Sequence, residues 1–271
     1  MRPTRPAQCR GRKRTIRGAA LPRAWPLVAS LLLAVVLGTS QPLHAQPAEL
    51  RTVTIRLAAD DTYRAQPNWE ANLRATVATV SAIYERNFQI RFVILDVVPW
   101  TAGTLTAETN LLEKLTNDIA LGQAEVVVAF VNQCERFTYG QTRLFGRFIR
   151  VMTGCYEITT VKDWAPPDAV LSHELAHVFG AFHPARNTVS VMLGGPADKF
   201  DDQATRVIRL MRTHDFSRGV RGVDQEKRRT WSAIYAEGHA RDEPNPLAKA
   251  IAYEGGACCV GEDERRRGGL S

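Results

Sequence analysis

Between residues 51 and 132 the hydrophobic positions switch repeatedly between two periods. Val53, Ile55 and Leu57 alternate with less apolar neighbours across Arg51 to Ala58, the rhythm of a half-buried strand. Asn68 is placed to cap a helix. Leu73, Val77, Val80 and Tyr84 then recur at three- and four-residue spacing, which puts one apolar stripe on that helix. Ile90, Phe92 and Ile94 predict a second strand. Leu111, Leu112, Leu115 and Ile119 predict a second helix, with Gly122 as its terminator, because glycine tolerates positive φ. Glu125 to Asn132 is almost continuously apolar, as a strand buried on both faces would be. Strands alternating with helices predict an α/β fold, a mixed but mostly parallel sheet covered by helices.

The rhythm then changes. Residues 133–165 carry Gly140, Gly146, Gly154 and Trp164 and read as loop, with one short strand near Phe148 to Met152. Pro166-Pro167-Asp168 opens a helix, proline being suited to the first turn. That helix reaches about Phe179, and Gly180 ends it. After Pro196 the chain reads as helical. Asp201 can cap a helix with Ala204, Val207, Ile208 and Met211 on one face. A second helix spans roughly Asp224 to Glu237, and a third covers Leu247 to Tyr253. The tail from Gly255 is Gly-rich and charged, a composition that predicts disorder. The expected organisation is an upper unit at 46–196, a helical lower unit at 197–254 and a tail at 255–271.

The formal charge of +7 suggests an anionic partner until its distribution is considered. Residues 1–45 hold Arg2, Arg5, Arg10, Arg12, Lys13, Arg14, Arg17 and Arg23 and no acidic residue; the remainder balances 27 basic against 28 acidic residues. Nucleic-acid binding is therefore not expected. The basic stretch leads into an apolar run from Trp25 to Leu37, and Leu43-His44-Ala45 offers a cleavage site before Gln46, the anatomy of an export signal. At about 13 residues the run is short for a bilayer core of roughly 30 Å; an uncleaved anchor is the alternative. The mature chain is expected to be secreted or periplasmic. It retains Cys134, Cys155, Cys258 and Cys259. An even number in an exported chain is compatible with disulfides, and Cys134–Cys155 is the candidate pair. Cys258 and Cys259 have no assignable partner, and free thiols remain open.

Residues 173–183 read His-Glu-Leu-Ala-His-Val-Phe-Gly-Ala-Phe-His. His173 and His177 are four residues apart, so a helix projects both imidazoles from one side, one turn apart. Glu174 lies about 100° further round, beside whatever the two imidazoles hold. A helix continued to residue 183 would carry His183 away. Gly180 permits the left-handed conformation that turns the chain back at low cost, so His183 can close a three-nitrogen set. Catalytic zinc takes three protein ligands and leaves a fourth position for water. Such a site lowers the pKa of the water, and Glu174 would act as general base.

The pattern His173-Glu174-x-x-His177-x-x-Gly180-x-x-His183 resembles the zinc signature of the metzincin clan of metallopeptidases. The clan also carries a methionine turn beneath the metal, and Ser190-Val191-Met192 is similar to it. The resemblance implies a single zinc ion held by His173, His177 and His183, with Met192 supporting the site without ligating it. It also implies an endopeptidase acting on extended protein or peptide substrates. The first strand begins about five residues after the expected cleavage site, so no propeptide latch is expected, and the protein is expected to be a monomer. The upper unit looks most like the reprolysin and matrixin branches, whereas Pro184 is closer to serralysins. Some branches place a Tyr two residues after the methionine; Gly194 stands there, so that role is not carried over. By the same resemblance, Phe148, Ile149, Arg150 and Val151 would form the antiparallel edge strand that pairs with substrate. Leu193 to Pro196 would wall the pocket for the residue after the scissile bond. A secreted binding protein on a metzincin scaffold, without turnover, is the second reading; the intact Glu174 argues against it. His214 and His239 read as structural or solvated, and the arginines at 206, 209 and 212 as a solvated face.

Overall fold

A computed structural model of the chain describes residues 49–104, 110–133, 139–154, 166–184 and 188–236. The segment 1–45, the Cys134–Cys155 pair, Cys258, Cys259, His239, the third lower helix and the tail from Gly255 lie outside the described residues.

Strands β1 (Arg51–Ala59), β2 (Ile90–Pro99), β3 (Val126–Val131), β4 (Gly140–Thr142) and β5 (Phe148–Met152) form one sheet in the order β2-β1-β3-β5-β4. The first four in that order are mutually parallel, and β4 runs antiparallel to β5. The fold is thus the mixed, mostly parallel α/β type that the alternating periods predict. A short helix, α1 (Asp61–Arg64), follows β1. It is capped by Asp60, which is fully buried and accepts the Tyr63 amide at 2.7 Å. Helix α2 (Trp69–Phe88) buries Leu73, Val77, Val80 and Tyr84 against one sheet face. Helix α3 (Leu111–Asp118) covers the other, with Leu111 and Leu115 against Val127 and Ala129. All six residues of β3 are buried, because its two faces and both its edges are covered.

Three expectations need correction. Asn68 stands at the N-terminus of α2 but in the left-handed conformation, at φ 57°, and its side chain accepts no capping bond. Helix α3 stops at Ile119, which turns extended; Gly122 serves the turn before β3 instead, at φ +57°. Most consequentially, Phe148–Met152 is not the edge. It pairs in parallel with β3 on one side and with β4 on the other. The antiparallel edge strand exists, but it is Gly140–Thr142.

The helix of residues Pro167–Val178, α4, crosses beneath this end of the sheet. Its position is set by two buried bonds: Tyr84 donates through its hydroxyl to the Ser172 carbonyl at 2.7 Å, and the Ser172 hydroxyl donates to the Ala197 carbonyl at 2.7 Å. Helices α5 (Asp202–Leu210) and α6 (Gln225–Ala236) form the lower part. They build a separate apolar cluster from Val207, Met211, Val220, Trp231, Ile234 and Tyr235, into which Phe145 descends from the sheet. Asp201 caps α5 by accepting the Ala204 amide at 2.9 Å. Among the described residues no helix is long and apolar enough to cross a membrane.

Candidate metal centre

Helix α4 carries His173 and His177 on one side, one turn apart, as their spacing requires. Phe179 is its last cap, and Gly180 follows at φ +83°. The left-handed turn is enforced from outside as well. A Cβ on Gly180 would lie 2.3 Å from the Phe145 ring, and the Phe145 amide donates to the His177 carbonyl at 3.1 Å. The chain therefore reverses here and returns His183 to the first two imidazoles.

The three side chains meet at their Nε2 atoms. His173 Nε2 lies 2.9 Å from His177 Nε2 and 3.1 Å from His183 Nε2, and one ring nitrogen of each lies within 4.8 Å of the others. The opposite nitrogens define what this convergence is for. His173 Nδ1 lies 2.8 Å from the Val191 carbonyl, and His177 Nδ1 lies 2.6 Å from the Ala181 carbonyl. A carbonyl oxygen only accepts, so both Nδ1 atoms carry the proton and both Nε2 atoms present lone pairs. Lone pairs aimed at a common point suit a cation. Burial, with the charge of His183 added, pushes the His173 pKa down to about 3. Burial, with the other two imidazoles adding to it, holds His177 well below its ordinary value. Both are neutral near pH 7, the state a metal requires. Tetrahedral zinc with Zn–N of about 2.0–2.1 Å spaces its nitrogens by about 3.3 Å, so a few tenths of an ångström of opening would admit the ion.

Glu174 is buried, at 2% exposure. Its carboxylate lies directly against the backbone of Gly140 in β4: a Cβ there would fall 2.4 Å from Glu174 Oε1 and 2.7 Å from Val170 Cγ1. Only glycine leaves room for it. The edge strand and the acid are thus in contact.

Met192 is buried in a short 3-10 turn, Val191–Leu193, directly after the carbonyl that holds His173. The turn is pinned by a polar knot. The Ser190 hydroxyl donates to Asp201 Oδ2 at 2.7 Å and accepts the Met192 amide at 3.1 Å, while the Val191 amide donates to the Lys199 carbonyl at 2.6 Å. The knot ties His173 to the cap of α5. Leu193 is 42% exposed and Val189 is 73% exposed, apolar side chains left at the surface beside this turn.

The structure therefore brings together His173, His177 and His183, with Glu174, Gly180 and Met192 around them. It does not bring Phe148, Ile149, Arg150 and Val151 to a free edge. Both flanks of β5 are already paired, Arg150 is 2% exposed, and its guanidinium donates to Gln141 Oε1 at 3.0 Å. No extended peptide can add to that strand. Two residues went unread in the sequence. Gly140 lay among other loop glycines with nothing local to mark it, and Ser190 was noted only as part of the methionine turn.

Residues 49–192 match the family model of metallo-peptidase family M12, reprolysin type. A comparison with curated proteins finds no match. Among solved structures, similarity extends to a chaperone–substrate complex, at 12% identity and TM-score 0.46 over 63% of this chain and 35% of that one. It extends to archaemetzincin from Methanopyrus kandleri, at 16% identity and TM-score 0.43 over 62% of this chain and 99% of that one. It also extends to metalloproteinase-II from Bacteroides fragilis, at 16% identity and TM-score 0.40 over 57% of this chain and 50% of that one. The chain thus spans about a third of the first, nearly all of the second and half of the third.

Proposed function

Because the chain belongs to metallo-peptidase family M12, we propose that it is an exported zinc-dependent endopeptidase that uses Glu174 as its general base. The observation that carries this reading is the convergence of three Nε2 atoms, two of them left with a bare lone pair by Nδ1–H bonds to backbone carbonyls.

His173, His177 and His183 would hold one zinc ion. A bound zinc ion supplies Lewis acidity, polarising a carbonyl and lowering the pKa of a water. Glu174, next to His173 on α4, takes the proton of the attacking water on a carboxylate oxygen and returns it to the departing amine. The Val191 and Ala181 carbonyls keep His173 and His177 in the tautomer that leaves Nε2 bare, and they fix the ring planes. Substrate is held by β-augmentation. The strand for this is β4, whose only neighbour among the described strands is β5. A peptide lying along β4 passes the carboxylate of Glu174, which touches Gly140. Leu193 to Pro196 wall the pocket after the scissile bond, and the exposed Leu193 supplies an apolar surface there. Export is supported by the basic run, the apolar run and Leu43-His44-Ala45 in residues 1–45. We read the mature protein as a monomer.

The test is metal analysis of the purified mature protein together with digestion of a peptide library, with and without chelator, and with Glu174→Ala alongside. The expected result is one zinc per chain, cleavage lost on chelation and restored by zinc, and an inactive variant that still binds the ion. Zinc binding without any cleavage by the wild type would favour a binding protein over a peptidase.

A further inference from the structure

The turn that delivers His183 has polar groups that α4 does not satisfy. The Gly180 and Ala181 amides bond back into the helix, to the His177 and Ala176 carbonyls at 2.9 Å each. The Gly180 carbonyl and the Phe182 amide find their partners elsewhere, on α6. Trp231 Nε1 donates to the Gly180 carbonyl at 2.9 Å, and the Tyr235 hydroxyl donates to the same oxygen at 3.4 Å. The Phe182 amide donates to the Tyr235 phenolic oxygen. The Phe182 ring stacks on Trp231 at 5.5 Å and 17°, and meets Tyr235 edge-on at 4.8 Å and 90°. Trp231 and Tyr235 are both fully buried and sit four residues apart, so one face of α6 grips the turn immediately before His183.

We propose that Trp231 and Tyr235 are positioning residues for the third metal ligand, so that docking of α6 and metal binding are energetically coupled. The proposal rests on the reading of the three histidines as ligands. Its physical basis is that His183, unlike His173 and His177, is not carried by α4. Its place depends on a four-residue loop, and a loop ligand is only as well placed as the contacts that hold the loop. Those contacts come from a segment beyond the matched residues 49–192, so they belong to this chain's lower part. Coupling of this kind is reciprocal: if α6 sharpens the metal site, the metal must in turn hold α6 in place.

The experiment measures zinc affinity by competition with a chromogenic chelator, and melting of the zinc-free protein, for wild type, Trp231→Phe, Tyr235→Phe and His183→Ala. Trp231→Phe and Tyr235→Phe keep an aromatic ring while removing the bonds to the turn. Each is expected to weaken zinc binding about 10- to 100-fold, the usual effect of losing an outer partner of a metal ligand. A lowered melting temperature with zinc affinity within twofold of wild type would assign these residues to packing alone and overturn the proposal. If His183→Ala binds zinc as tightly as wild type, the ligand assignment itself fails, a separate outcome. Hydrogen exchange of the wild type decides the matter even if a variant does not fold. Zinc must slow amide exchange across Gln225–Ala236, and unchanged exchange there overturns the coupling.

Discussion

Gly140→Ala isolates the contact between the edge strand and the acid. The added methyl would sit 2.4 Å from Glu174 Oε1, 2.8 Å from Glu174 Cγ and 2.7 Å from Val170 Cγ1. Ordinary carbon contacts begin at about 3.5 Å, so the carboxylate must retreat by roughly 1 Å. Strand β4 is pinned to β5 through Gly140 opposite Val151, so the Val170 side chain must give by several tenths of an ångström and the flexible Glu174 side chain by more. A misplacement of that size costs about 10²-fold in rate, about 2.7 kcal/mol of barrier. Overpacking adds a stability loss of about 1–3 kcal/mol. With a fluorogenic peptide on the zinc-loaded protein, kcat is expected to fall about 100-fold with zinc content unchanged. A double-mutant cycle read on the stability of the zinc-free protein supplies the check: in the Glu174→Ala background the same methyl has no carboxylate to displace, so its cost should shrink to what the Val170 contact imposes. Full activity in Gly140→Ala would refute the reasoning, as would a stability penalty that persists undiminished without Glu174.

Other outcomes follow from the same geometry. Zinc added to chelator-treated protein at about 1,000 times its dissociation constant should stabilise the fold by about 4 kcal/mol, which scanning fluorimetry would read as a rise of roughly 10 °C; His177→Ala should abolish the rise. Ser190→Ala removes a donor to Asp201 and an acceptor for the Met192 amide, so urea denaturation of the zinc-free protein should show a loss of about 1–3 kcal/mol. A change under half a kilocalorie would mean the knot is dispensable. His214 is buried beside Phe145, and burial holds its pKa below the ordinary 6.5. Above pH 6.5 both folded and unfolded forms are neutral and the group contributes nothing; below it the unfolded chain takes the proton first, so stability falls until the folded pKa is reached. The stability of wild type relative to His214→Gln, both zinc-free, should therefore be smaller at pH 5 than at pH 7.5; a constant difference would count against burial of a neutral imidazole.

The elements that hydrophobic period alone identified are those whose burial is decided within one segment. The Leu73, Val77, Val80 and Tyr84 stripe and the unbroken apolar run of β3 name a helix and a doubly covered strand without reference to anything distant. The edge of the sheet is a different kind of fact. A short apolar stretch marks Phe148–Met152 as extended, but which strands lie beside it depends on pairings with residues 127–131 and 140–142. The true edge, Gly-Gln-Thr, is three residues long and too short to show any period. Asn68 illustrates the same limit at a cap: asparagine favours both a side-chain cap and the left-handed region, and only the incoming chain decides between them.

At the metal centre, what could be read was confined to one turn of helix and one break. The spacing of His173, Glu174 and His177 sets their relative directions through helix geometry alone, and Gly180 marks the reversal because a positive φ is a local demand. Yet Gly180 meets three demands, and the other two come from afar. The Phe145 ring occupies the place of its side chain, and Trp231 takes its carbonyl. Trp231 and Tyr235 look in sequence like two buried positions on an amphipathic helix, which they also are. Nothing in their spacing says that the surface they cover is the loop before His183. Ligand identity is therefore written locally, in the residue types that a metal needs. Ligand placement is written in contacts between the sheet, the site helix and the lower helices, and those become visible only once the chain is folded.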